Sequence, residues 1–305
     1  YTISSKGISS LNLMEAASLA FVKAFKTEVK DKDQAISIYC GTGNNGGDGL
    51  AIARLLKEEG YERLSVKIIT FSKRSSDFSS NLERLKLTGI SVTVYPESGE
   101  FLQEDSGVIV DAILGSGLNK PLHGWLGSLV DHLNKLKRRV ISVDIPSGFP
   151  SEGIIDPSWT IFKAELAISF QRPKINFFFP ESVTAMDRFE VVPIGLDEEY
   201  IERLPGYWKL CEEADIHKLI KPRQNFNHKG TFGHALIIAG STETMGAALL
   251  CADACLHSGA GLTTACIPES GLTALNSYSP EVMALIRPEE WSEKQLNKYS
   301  SIALG

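Results

Sequence analysis

Three short stretches hold residue types that do chemistry in combination. Gly41-Thr42-Gly43-Asn44-Asn45-Gly46-Gly47-Asp48-Gly49 packs five glycines, two asparagines and one aspartate into nine residues. Glycine lets bare backbone approach a ligand closely, and side-chain amides both donate and accept, so this stretch is equipped to hold a polar small molecule. Asp111-Ala112-Ile113-Leu114-Gly115-Ser116-Gly117 and Asp144-Ile145-Pro146-Ser147-Gly148 each open on an aspartate that closes an apolar run. Asp111, Asp144, Ser147 and Asn45 make a set of oxygen donors with no His or Cys. Such a set suits a hard cation or a hydroxylated ligand rather than zinc, without choosing among potassium, sodium and magnesium.

Positions 41 to 46 also satisfy G-x-G-x-x-G between an expected strand and helix, the fingerprint of dinucleotide-binding dehydrogenases. That reading requires an acidic residue at the end of the second strand, about 20 residues on, to hold ribose hydroxyls. The second strand instead ends Ile68-Ile69-Thr70-Phe71-Ser72, and Glu58, Glu59 and Glu62 precede it. Asp48 would repel a pyrophosphate at the helix N-terminus, and is itself expected to be stabilised there.

The elements that must position these stretches follow from apolar periodicity. Asn12 and Glu15 are spaced as a capping box for an amphipathic helix with Leu13, Met14, Ala17, Phe21 and Phe25 on its packing face. Strands are expected at 35–40, 65–71, 90–95, 107–111, 140–144 and 164–170, with helices at 49–60, 76–88 and 126–136 between them. Alternation of buried strand and helix predicts an α/β fold, a Rossmann-like doubly wound and mostly parallel sheet. Ligands of such sheets bind beyond the carboxyl ends of the strands, so the three stretches should converge if their strands are neighbours. From about Pro205 a polar stretch marks a boundary. A fresh strand at 234–239, a loop, a helix at 246–258 and a strand at 262–267 follow.

Bulk properties narrow the function classes. At about 150 residues per domain, 305 residues predict two units. Lys and Arg total 31 against 37 Asp and Glu, a net charge of −6, so no global positive field exists to hold nucleic acid or an anionic membrane. Five cysteines without a Cys-x-x-Cys pair argue against a disulfide framework and for a reducing, cytoplasmic setting. No apolar run approaches the roughly 20 residues that span a bilayer.

The stretch Gly43 to Gly49, preceded by Leu13-Met14-Glu15 and followed by Asp111 to Gly117 and Asp144 to Gly148, resembles the YjeF N-terminal family of NAD(P)H-hydrate epimerases over roughly residues 1–204. Residues 205–305 resemble the start of the ribokinase-like ADP- or ATP-dependent NAD(P)H-hydrate dehydratase. His228-Lys229-Gly230-Thr231-Phe232-Gly233, Ala239-Gly240-Ser241, Met245-Gly246-Ala247-Ala248 and Ser258-Gly259-Ala260-Gly261-Leu262 carry that likeness. Together they imply a bifunctional nicotinamide-nucleotide repair enzyme. Its second half is expected to stop before the family's Gly-rich phosphate loop and catalytic aspartate.

The resemblance implies epimerisation of R and S hydrated NADH or NADPH at C6, with bound K⁺, and in the longer protein dehydration with ADP or ATP and Mg²⁺. It implies that Asn44, Asn45, Gly46, Gly47 and Asp48 contact the hydrate, that Gly115, Ser116, Gly117, Leu118, Asn119, Lys120 and Pro121 wrap its phosphates or sugar, and that Ala247 touches it in the second unit. Asp144 is the expected catalytic residue and also a substrate contact. Asn45, Asp111 and Ser147 are the expected K⁺ ligands. The expected partner is the small-molecule hydrate, with neither nucleic acid nor membrane, and the expected assembly is a homo-oligomer. A non-catalytic interaction module of this fold and a ribokinase-like kinase are the competing readings.

Other residues have plainer expectations. His228 and Lys229 are expected to be solvated, with phosphate binding as the alternative. Cys251 and Cys255 share a helix face as small core residues. His123 and His132 belong to the surface or to satisfied polar contacts. Phe177-Phe178-Phe179 is expected in the core, and Lys135 to Arg139 form a basic run complementing a helix end.

Overall fold

The computed structural model describes residues 1–71, 73–95, 101, 103–117, 120–220 and 222–305. The chain divides into two compact units, Tyr1–Lys209 and Leu210–Gly305.

The first unit carries α1 (Thr2–Lys6), α2 (Ser10–Glu28), β1 (Ile36–Cys40), α3 (Asn44–Glu58), β2 (Leu64–Ile69), α4 (Ser76–Lys86), β3 (Ser91–Tyr95), β4 (Val108–Ala112), α5 (Gly124–Lys135), β5 (Arg139–Val143), β6 (Ala164–Phe170), β7 (Met186–Val192) and α6 (Glu198–Arg203). Among the described residues, seven strands form one sheet in the order β3-β2-β1-β4-β5-β6-β7, every neighbouring pair parallel. The fold is the expected doubly wound α/β sheet.

Both faces of the sheet are covered, which is why its strands read as apolar runs. Ile36, Ile38, Val108 and Val110 pack under α2, α3 and α4, whereas Ile109, Val140 and Ala167 pack with Leu129, Val130 and Leu133 of α5. Period-2 alternation places Asp111, between Val110 and Ala112, on the α5 side. β7 escaped the sequence reading because its interior positions are not buried. Asp187, Arg188 and Glu190 give this edge strand the charged texture that discourages further pairing.

Two expected helix starts are corrected. α2 is capped by Ser9, whose Oγ accepts the Asn12 N–H at 3.1 Å, not by an Asn12–Glu15 box. Glu15 instead pairs with Arg54 at 2.5 Å. α3 begins at Asn44, five residues before the expected Gly49, because its glycines are packing positions. A Cβ on Gly46 would lie 1.7 Å from the Gly41 carbonyl oxygen, and one on Gly49 would lie 2.6 Å from the Ala112 Cβ. Close helix-to-strand packing therefore outweighs the roughly 1 kcal/mol that each helical glycine costs.

The basic run also resolves differently. Arg139 belongs to β5 and is neutralised by Glu165 at 2.8 Å and Glu28 at 3.0 Å. Phe177 is buried, but Phe178 and Phe179 are exposed, so only the first of the three is core.

The second unit contains α7 (Glu213–Leu219), β8 (His234–Ile238), α8 (Met245–His257), β9 (Leu262–Ile267), α9 (Leu272–Tyr278), β10 (Met283–Ile286), α10 (Glu293–Leu296) and β11 (Ser301–Leu304). Among the described residues its sheet runs β10-β9-β8-β11, all parallel. α8 buries Ala248 and Ala252 against it. Cys255 is half-buried and Cys251 exposed, so the expectation of a shared core face fails for Cys251. Among the described residues no helix is long and apolar enough to cross a membrane.

Candidate functional site

The three chemical stretches follow β1, β4 and β5, which are adjacent: Tyr39 pairs with Asp111, and Asp111 with Ser142. The direction of winding reverses between β1 and β4, the switch point where doubly wound sheets open a crevice. The expected convergence is realised because strand order places all three stretches at one end of the sheet.

Asp111 is the most enclosed group there, fully buried at the end of β4. Its Oδ1 accepts from Ser147 Oγ at 2.6 Å and the Ile113 N–H at 3.3 Å. Its Oδ2 accepts from the Ser147 N–H at 2.8 Å and Ser142 Oγ at 2.9 Å. Burial pushes its carboxyl above the usual aspartate range, although these hydrogen bonds oppose the shift. Among the described residues it has no ion-pair partner. Ser147 Oγ also accepts the Leu114 N–H at 2.9 Å, while Asn45 Nδ2 donates to the Leu114 carbonyl at 2.9 Å. The backbone N–H and C=O of Leu114 are thus both held by side chains of the node.

This node is made of carboxylate, hydroxyl, carbonyl and amide oxygens. With a buried carboxylate lacking an opposite charge, the donor set fits a weakly hydrated hard cation. Among the described residues no group of three His, Cys, Asp or Glu is assembled, so a cage of the transition-metal kind is not built from them.

Asp144 ends β5 in the left-handed backbone region, at φ 67°. Non-glycine residues enter that region at a cost of about 1–2 kcal/mol, Asn and Asp most readily. Its side chain explains why the turn is held. Oδ1 accepts from Lys174 Nζ at 2.6 Å, the Phe170 N–H at 3.0 Å and Ser169 Oγ at 3.3 Å. Both side chains of the Asp144–Lys174 pair are largely buried, 13% and 16% exposed. The sequence reading missed Lys174 and Ser169. Lys174 lies just beyond β6, the strand next to β5, so extending the rule of strand carboxyl ends to this fourth strand would have found it.

Asp48 lies in the second turn of α3, not at its N-terminus as expected. Burial raises its carboxyl well above the usual range, and the charges of Asp144 and Asp77 raise it further. The amides of Asn44, Asn45 and Gly46 occupy the first helical positions after Gly43, which offers no capping side chain, so they have no acceptor within the helix. Gly46 and Gly47 are buried at packing contacts, Gly47 against Met14 of α2.

A Cβ on Gly115 would lie 3.3 Å from that of Asn45, which joins the second stretch to the first. Ser116, Gly117 and Lys120 are exposed and Pro121 is half-buried, whereas Leu118 and Asn119 lie outside the described residues. Ala247 belongs to the other unit. There it lines a cavity of about 400 Å³ with Gly240, Ser241, Thr244 and Cys251, beyond the carboxyl end of β8.

Comparison with known proteins relates both units to described families. Residues 235–305 match the family described as NAD(P)H-hydrate dehydratase. A bifunctional NAD(P)H-hydrate repair enzyme, Nnr, of Moorella thermoacetica is 29% identical over 298 residues, covering 92% of this chain and 54% of that protein. The enzyme of the same name from Thermofilum pendens is 32% identical, covering 91% and 52%. A solved yeast structure, ynu0, has a TM-score of 0.49 at 26% identity, covering 60% of this chain and 79% of that one. The chain spans about half the length of the curated relatives it matches. Residues 10–176, more than half of the chain, match the family described as YjeF-related protein N-terminus, and the chain belongs to that family.

Proposed function

We propose that residues 1–204 form an NAD(P)H-hydrate epimerase, interconverting the R and S forms of nicotinamide nucleotides hydrated at C6. Residues 205–305 are then part of a dehydratase unit that, with ADP or ATP and Mg²⁺, returns the S form to NADH or NADPH. The observation that carries the epimerase reading is the pairing of two unlike carboxyl groups in one crevice. Burial favours the protonated form of Asp48, while Asp144 is bound to Lys174.

C6 of the hydrate carries its hydroxyl beside ring nitrogen N1. Asp48 protonates that hydroxyl, which leaves as water as the N1 lone pair completes an iminium bond. Asp144 faces the resulting cation, stabilises it, and accepts the proton of the water that adds to the other face. Two carboxyl groups on different elements supply one proton carrier for each face, which inversion requires. Asn44 to Asp48, Gly115 to Pro121 and Asp144 contact the nucleotide, and the amides at the start of α3 suit its phosphates. Ala247 contacts the hydrate in the second unit. Asn45, Asp111 and Ser147 would hold K⁺, which would supply the charge that balances buried Asp111 and steady the backbone at Leu114.

Chromatographic measurement of R and S interconversion, with and without K⁺, tests this reading. Asp144→Asn is expected to slow it at least about a hundredfold, the usual scale for a general acid-base group. No acceleration over the spontaneous rate by the unaltered chain would overturn it in favour of a non-catalytic module of the same fold.

A further inference from the structure

The second unit holds a cavity that the repair reading does not use. It measures about 400 Å³ and is lined in part by Arg223, Asn227, His228, Lys229, Phe232 and Leu256. It lies beside the segments that enter β8 and β9, at the amino-terminal edge of the sheet. Ala247 and Gly240 lie beyond the carboxyl ends, where parallel sheets bind their substrates. The cavity is therefore separate from the hydrate site proposed above.

Its wall is selective in charge. Among the described residues no Asp or Glu lines it, although the whole chain carries a net charge of −6. Arg223 is held in place by stacking on Phe232, 4.7 Å from the ring centre, and by donating to the Gly259 carbonyl at 3.3 Å. Two acceptors of the wall are engaged internally, whereas the Gln224 side chain adds an amide that can donate or accept. Asn227 Oδ1 accepts the Gln224 N–H at 2.6 Å, leaving the Asn227 NH₂ group as donor. His228 Nδ1 accepts the Gly230 N–H at 3.1 Å, which leaves Nε2 as the free edge of the ring. Lys229 adds an ammonium group. The backbone beneath is tightly set, since a Cβ on Gly261 would lie 1.6 Å from the Lys229 carbonyl oxygen.

A guanidinium, an ammonium, the Asn227 NH₂ group and the His228 Nε2 edge around one cavity are complementary to a compact polyanion. We propose that this cavity binds the phosphate group of a phosphorylated small molecule, with Arg223 and Lys229 on the phosphate oxygens. The volume exceeds that of one phosphate, and Leu256 provides an apolar wall for the remainder of the ligand.

Titration of the 305-residue chain with inorganic phosphate and inorganic pyrophosphate, followed by amide NMR shifts, tests the site locally. Saturable shifts at Gly230 and Gly261 are expected, with pyrophosphate bound more tightly. Arg223→Gln/Lys229→Gln should weaken binding by about tenfold or more, on the scale of a lost charge-assisted contact. Lys229→Gln alone, which leaves the Arg223 contacts in place, should show a smaller loss in the same direction. Failure of Gly230 and Gly261 to respond, equal binding by the double variant, or an equal response to chloride at matched ionic strength would overturn the proposal.

Discussion

At the scale of single residues, Asp48 and Lys174 make the sharpest commitments. Asp48 is raised well above the ordinary aspartate value of 3.8, so the folded protein favours its neutral form. Below that value both states are protonated and nothing is lost, but as pH rises the unfolded chain ionises first and stability falls. Asp48→Asn should therefore melt higher than the parent at pH 7, with the difference vanishing below about pH 4, while epimerisation drops. Thermal melts across that range would check it. Lys174→Met leaves Asp144 without its ionic partner and is expected to slow epimerisation about ten- to hundredfold, with partial recovery in Lys174→Arg and a displaced pH profile. A rate unchanged in Lys174→Met would remove Lys174 from the site. The two residues also differ in legibility. Asp48 stood out within a glycine-rich run, whereas a lone lysine after Arg172-Pro173 carries no local signal and gains meaning only from the strand order that brings β6 beside β5.

At the scale of elements, buried parallel strands could be read directly because covering both faces leaves them apolar throughout. β7 could not, since an edge strand alternates like a surface loop. The start of α3 was misread for a related reason: glycine signals a loop locally, and only the nearness of Gly41 and Ala112 reveals why a helix needs it. β1 and β2 also carry a buried polar network that neither composition nor spacing announces. Glu104 is 4% exposed and accepts from Ser37 Oγ at 2.9 Å and Tyr39 Oη at 2.7 Å, with Lys67 as its ion-pair partner. Burial opposes the charge, but Lys67, Ser106 and Tyr39 outweigh it and hold Glu104 down at about 2. Its contribution to stability is complete above the ordinary glutamate value of 4.5 and is lost as pH falls toward 2. Urea unfolding of the parent should show a loss on the order of 3 kcal/mol from this group over that window. Lys67→Met/Glu104→Gln should show a flatter acid limb.

At the scale of the whole molecule, the crevice residues that act together come from one compact unit. Asn45, Asp48, Asp111, Asp144, Ser147 and Lys174 all lie within Tyr1–Lys209, whose sheet and two apolar clusters are its own. Residues 1–209 prepared separately are expected to fold and to retain most of the epimerase rate of the full chain. Loss of rate with intact circular dichroism would require a contribution from the second unit.

The left-handed backbone at Asp144 bears on how this position drifts over evolutionary time. Asparagine and glycine satisfy that conformation about as well as aspartate, so the backbone alone does not defend the carboxylate. What defends it is its charge, which the largely buried Lys174 ammonium requires as a partner. In chains of this fold, the residue after β5 and the one matching Lys174 are therefore expected to change together, the lysine giving up its charge wherever the aspartate does.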